Sequence, residues 1–165
     1  MSCATLSTQI LERDESKKNV RLSKGQDVFI LVPRIKDNDI LRENLEESGF
    51  SSERFCNILQ QELLKEINSR EVNADSSQEK KGNSLEIEIM EIQREDKFLG
   101  LFGENKAKLR ANIVLIVDGN QREFESVTYE GASSTSIGGI EVSSSDPVKT
   151  IAETFSIGVA SNIIK

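Results

Sequence analysis

The chain has no histidine and no tryptophan, and only one tyrosine, two prolines and two cysteines. Without histidine, the commonest general base and the commonest transition-metal ligand are both missing, which removes whole classes of enzyme. The shortage of Trp and Tyr leaves little on which bases or sugar rings stack. Cys3 and Cys56 are too few for a disulfide framework and lack a C-x-x-C spacing. No apolar run approaches the ~18 residues of a membrane span, and no secretory leader with an apolar core is written in the sequence. Neither a dinucleotide-binding glycine motif nor a P-loop can be written through Gly100, Gly103, Gly138 or Gly139, which read as loop residues. With 21 basic and 28 acidic residues, the net charge of −7 disfavours nucleic acid as a partner.

What is present suits one globular domain: 165 residues, 36% hydrophobic and 30% charged. The most informative stretch is 109–117. Leu109, Ala111, Ile113, Leu115 and Val117 fall on one side of an extended chain and Val114 and Ile116 on the other, the pattern of a central strand with two apolar faces. Upstream, 27–32 is a short apolar run closed by Pro33 and reads as a first strand. A short helix is expected at 40–48 and a stronger one at 52–68, where Phe55, Leu59, Leu63 and Ile67 repeat on one face behind a serine cap. Residues 70–83 are polar and read as a loop. At 85–92, Leu85, Ile87 and Ile89 alternate with Glu86 and Glu88, and a shift of register places a bulge near Met90.

Asp118-Gly119-Asn120 supplies a tight turn from the central strand into an antiparallel partner over 122–130. Residues 131–145, rich in Ser and Gly, read as a loop with at most a short edge strand. Asp146-Pro147 then opens a terminal helix over 147–164, with Val148, Ile151, Ala152, Phe155, Val159 and Ile163 on one face. The expected fold class is α+β: a mainly antiparallel sheet of four to five strands with two main helices packed on one face. Residues 1–26, mixed in charge and without a period, read as a flexible N-terminal arm, and 27–165 as a single α+β domain.

Candidate chemistry is sparse. Asp37, Asn38 and Asp39 offer oxygens but lack the glycine and terminal glutamate of a calcium loop, so they read as a turn and helix start. Cys56 lies on the apolar stripe of the second helix, without a histidine to activate it, and reads as a buried inert thiol. Glu86 and Glu88 read as the wet side of a strand. Ser2-Cys3-Ala4 is the one short motif that suits covalent chemistry, a thiol beside small residues at the head of a polar arm.

Cys3, the polar arm, the strand at 27–32, the helix FCNILQQELLKEI, the strand pair at 85–92 and 107–118, the segment GLFGENKAKLRANIVLIVDG and the terminal helix together resemble a group of small bacterial envelope lipoproteins. That group includes many members of unknown function, and its architecture is similar to the periplasmic domains of penicillin-binding-protein activators and of the curli secretion lipoprotein. The resemblance implies lipidation at Cys3 after removal of a leader upstream. Ala4 in place of Asp implies the periplasmic side of the outer membrane. It further implies a non-catalytic scaffold or accessory that contacts periplasmic protein partners, with no enzyme activity, cofactor or metal. An arm of this length as a flexible coil would reach roughly 25 Å from the membrane. The alternative is a soluble binding module or carrier for a small apolar ligand, with the loop bearing Phe98, Leu99, Leu101 and Phe102 as a lid. Those four residues, with Val114 and Ile116 on the second face of the central strand, are the candidate partner surface.

Overall fold

The computed structural model describes residues 7–47, 51–95, 104–133 and 147–165. In chain order they form β1 (Ser7–Glu12), a single 3-10 turn (Glu15–Lys17), β2 (Asp27–Leu31), β3 (Arg34–Ile35), α1 (Asp39–Glu47) and α2 (Ser52–Ser69). There follow β4 (Asn73–Ser77), β5 (Ser84–Glu95), β6 (Glu104–Val117), β7 (Asn120–Ser133) and α3 (Pro147–Ile163). The strands make one seven-stranded sheet in the order β1-β7-β6-β5-β2-β4, with β3 also paired to β5.

The sheet is larger than the sequence implies, and it is mixed. β1, β7, β6 and β5 pair antiparallel, whereas β2 runs parallel to both β4 and β5, and β3 parallel to β5. Parallel neighbours need a long crossover connection, and the helical segment containing α2 supplies it between β2 and β4. Pro33 ends β2, as expected, but the chain resumes as β3 beyond it, with Lys36 N donating to Ile89 O at 3.0 Å. The bulge near Met90 is present as a register shift between Ile89 and Glu91.

β6 is interior to the sheet. Leu109, Ala111, Ile113, Leu115 and Val117 are buried under the helices. Each large side chain in that row contributes roughly 1.5–3 kcal/mol of transfer free energy. The tight turn has Asp118 at φ 51° and Gly119 at φ 79°, the twin left-handed positions that match the twist of a hairpin. α2 begins where Ser51 Oγ accepts from Arg54 N at 3.2 Å, and buries Phe55, Cys56, Leu59, Leu63 and Ile67. α3 buries Ile151, Ala152, Phe155, Val159 and Ile163 against the same layer.

The flexible arm expected over 1–26 is corrected for its described part, residues 7–26. Ser7–Glu12 is a sheet strand, and Leu22 is fully buried, with its N–H donating to Ile163 O and its carbonyl accepting from Lys165 N at 2.9 Å. Arg122 fixes this segment. Its side chain is 2% exposed and forms an ion pair with Glu12, while Nη1 donates to Val20 O at 3.3 Å and to Asn162 O at 2.9 Å. One guanidinium thus ties β1, the following turn and the end of α3 to β7. The arm carries no apolar alternation because two of its three inward residues, Thr8 and Glu12, are polar and match polar partners, with only Ile10 between them packed on the core: Thr8 Oγ1 lies 3.1 Å from Thr128 Oγ1. Gly158 of α3 rests so closely on Thr8 that any Cβ there would overlap it. The second correction is β4, in the segment read as a polar loop.

Candidate partner-binding surface

Among the described residues the three α-helices all pack on one side of the sheet. Alternation along β6 puts Lys108, Arg110, Asn112, Val114 and Ile116 on the other side, and every one of them is partly exposed. Across the sheet the same face carries Leu11 of β1 and Arg13 just beyond it, Glu123, Glu125, Val127 and Tyr129 of β7, Glu86 and Glu88 of β5, and Phe29 of β2.

This face divides in two. Toward the Asp118 turn it is apolar: Phe29, Ser84 and Ile116 stand in register, and Ser84 is fully buried between its neighbours. Lys81 Nζ stands 4.6 Å over the Phe29 ring. Away from the turn charged pairs alternate with Leu11, Val127 and Tyr129. Arg13 Nε lies 3.3 Å from Glu123, and Asn112 Nδ2 donates to Glu123 at 3.1 Å. Arg110 reaches Glu91 at 3.3 Å and Glu125 at 3.5 Å. These pairs are half exposed, so each adds little stability. They tie β5, β6 and β7 together across this face.

Val114 therefore sits between Glu86 and Glu123, at the boundary of the two halves, and Ile116 in the apolar half. Both lie on the face that the helices leave bare. Phe98, Leu99, Leu101 and Phe102 lie outside the described residues, as do Cys3, Asp146 and the edge strand allowed for within 131–145 beyond Ser133. Cys56 is buried, and burial pushes its thiol up to about 11. Asp37 pairs with Arg42 at 3.0 Å and Asp39 opens α1. A groove of about 570 Å³ runs along the outer side of α2 past Asn57, Ile58 and Gln61 to Lys149, away from the helix–sheet interface. No helix among the described residues is long and apolar enough to cross a membrane.

Residues the sequence did not single out include Leu11, which is 54% exposed on β1, and Tyr129, 41% exposed on β7. The signal for Leu11 was present, an isolated Ile-Leu pair in a polar stretch, but it was too short to separate a strand from an arm.

These features define an α+β domain with a mixed seven-stranded sheet and helices on one side only. Within that class the chain is similar in fold to PelC from Paraburkholderia phytofirmans, solved as a dodecamer. One PelC structure, of a single-site variant, has TM-score 0.52 and 9% identity, covering 95% of this chain and 97% of that one. A second has TM-score 0.52 and 8% identity, covering 95% and 98%. Protein XCC0632 from Xanthomonas campestris has TM-score 0.49 and 10% identity, covering 85% of this chain and 83% of that one. No family model matches the chain, and neither does any curated protein. At such identities the likeness is one of fold.

Proposed function

We propose that the chain is a non-catalytic accessory protein of a bacterial cell envelope, anchored through a lipid on Cys3 at the periplasmic side of the outer membrane and acting through protein contacts. The observation that carries this reading is the one-sided sheet. A sheet face bearing Val114, Ile116 and Phe29 beside charged pairs suits a protein surface better than a small molecule. The fold-length likeness to PelC, itself an assembled protein, supports a role exercised through assembly.

The early start of the fold sharpens the anchoring. Only Ala4, Thr5 and Leu6 separate Cys3 from β1, and three extended residues span about 10 Å at most. A lipid on Cys3 would hold the domain against the membrane surface, in place of the longer reach expected of a flexible arm. Two or three acyl chains would make that attachment firm, at ~0.8 kcal/mol per buried CH₂. Mass spectrometry of the N-terminal peptide from the native envelope tests this reading. The expected peptide begins at an acylated Cys3, and an unmodified thiol in a chain that retains Ser2 would reject it.

A further inference from the structure

The two edges of the sheet are finished differently. β4 forms one edge, and Asn73 N donates inward to Gln26 O, so the amides of Ala74 and Ser76 point outward. Both are occupied by side chains: Ala74 N donates to Asn68 Oδ1 at 2.9 Å and Ser76 N to Asp75 Oδ1 at 2.8 Å. Asn68 Nδ2 donates back to Ala74 O at 3.2 Å. That edge is sealed against another strand.

β1 forms the other edge and has no such seal. Arg13 N donates to Glu123 O, so by alternation the amides of Thr8, Ile10 and Glu12 point away from β7. Among the described residues none of these amides has a partner. Of the usual protections, proline and lysine are absent from β1, and its inward-pointing charge, Glu12, is already neutralised by Arg122. Leu11, half exposed, points from the strand onto the bare face of the sheet.

We infer that the β1 edge pairs antiparallel with β1 of a second copy of this chain, extending the sheet across a two-fold axis at Leu11. The sequence of β1 suits its own reverse about that residue. Leu11 meets Leu11 of the second copy at a non-hydrogen-bonded position, where facing side chains come closest. Gln9 stands opposite Arg13, an amide oxygen facing a guanidinium. Ile10 and Glu12 exchange main-chain hydrogen bonds with Glu12 and Ile10 of the second copy, which uses the amides left outward. The helix layers also fit. α3 lies over β1, β7 and β6, and the two β7 strands would stand about 14 Å apart, three strand spacings. Packed helices need about 8–10 Å, so the two α3 helices do not collide. The pairing is symmetric and closed, hence a dimer and not a fibre. It concerns the edge, and stands or falls separately from lipidation at Cys3.

The test uses the full chain carrying Cys3→Ser, so that the thiol introduced by Leu11→Cys is exposed and the only other cysteine, Cys56, is buried. Light scattering after gel filtration is expected to give twice 18.4 kDa. Under mild oxidation at about 10 µM protein, Leu11→Cys is expected to form a disulfide-linked dimer about a hundredfold faster than Asn19→Cys, an exposed control, because pairing raises the local concentration to the millimolar range. Leu11→Lys is expected to be monomeric with the circular dichroism spectrum of the parent chain, and its unfolding midpoint, unlike the parent's, is expected not to rise with protein concentration. A monomeric parent chain, a Leu11→Cys rate equal to the control, or a dimer that survives Leu11→Lys would each overturn the inference.

Discussion

Removing the carboxylate of Glu12 should be among the most damaging single changes in this protein. Glu12→Gln leaves Arg122 almost fully buried with the carbonyls of Val20 and Asn162 but no counter-charge. Breaking a buried pair from one side costs about 3–5 kcal/mol, because the remaining charge is left uncompensated. A domain of this size has ~5–15 kcal/mol in total and loses ~2–4 °C per kcal/mol, so Tm should fall by about 6–20 °C. Urea unfolding followed by circular dichroism reads the change directly. The double variant Glu12→Gln with Arg122→Met removes the stranded charge and should recover much of the loss, since an apolar replacement of a buried pair is often neutral. A loss under ~1 kcal/mol for Glu12→Gln would refute the reasoning, and with it the assignment of residues 7–22 to the folded domain.

Gly158→Ala should destabilise the chain by about 1–3 kcal/mol through overlap with Thr8, although alanine is the better helix former; a melting curve checks this, and Thr8→Ala should relieve part of the loss. Asn68→Ala should cost about 0.5–1.5 kcal/mol and speed hydrogen exchange at the Ala74 amide, read by NMR, because it unseals the β4 edge. Burial raises the Cys56 thiol from 9.0 to about 11, so its neutral form favours the folded state fully below pH 9, and that contribution is lost as pH climbs toward 11. Stability measured from pH 8 to 11 should therefore fall less steeply in Cys56→Ala than in the parent, and thiol reagents should label Cys56 only after unfolding.

The elements legible in the sequence are those whose burial is one-sided and apolar. β5 shows Leu85, Ile87 and Ile89 against Glu86 and Glu88, α2 shows its stripe from Phe55 to Ile67, and Asp118-Gly119 marks the hairpin by its backbone demands alone. β1 escaped because two of its three inward residues are polar: Thr8 meets Thr128 and Glu12 meets Arg122, so Ile10 stands alone and no hydrophobic alternation forms. β4 escaped for another reason. In Asn73–Ser77 only Ala74 packs toward the core, and the strand is held by pairing to β2 and by the Asn68 side chain, neither of which is local in sequence. The parallel pairs likewise depend on where α2 returns the chain. For the surface, the double apolar pattern of 109–117 pointed to a second face. That Glu86 and Glu123 flank Val114 follows from cross-strand register, which a single sequence does not carry.

A domain held close to a membrane by Cys3 is the central claim, and fractionation of the native host expressing the protein from its own locus tests it most directly. The parent chain should sediment with outer membranes through a high-salt wash and enter the detergent phase. Cys3→Ser should leave that fraction while keeping the same fold by circular dichroism. An identical distribution of the two proteins would contradict the claim.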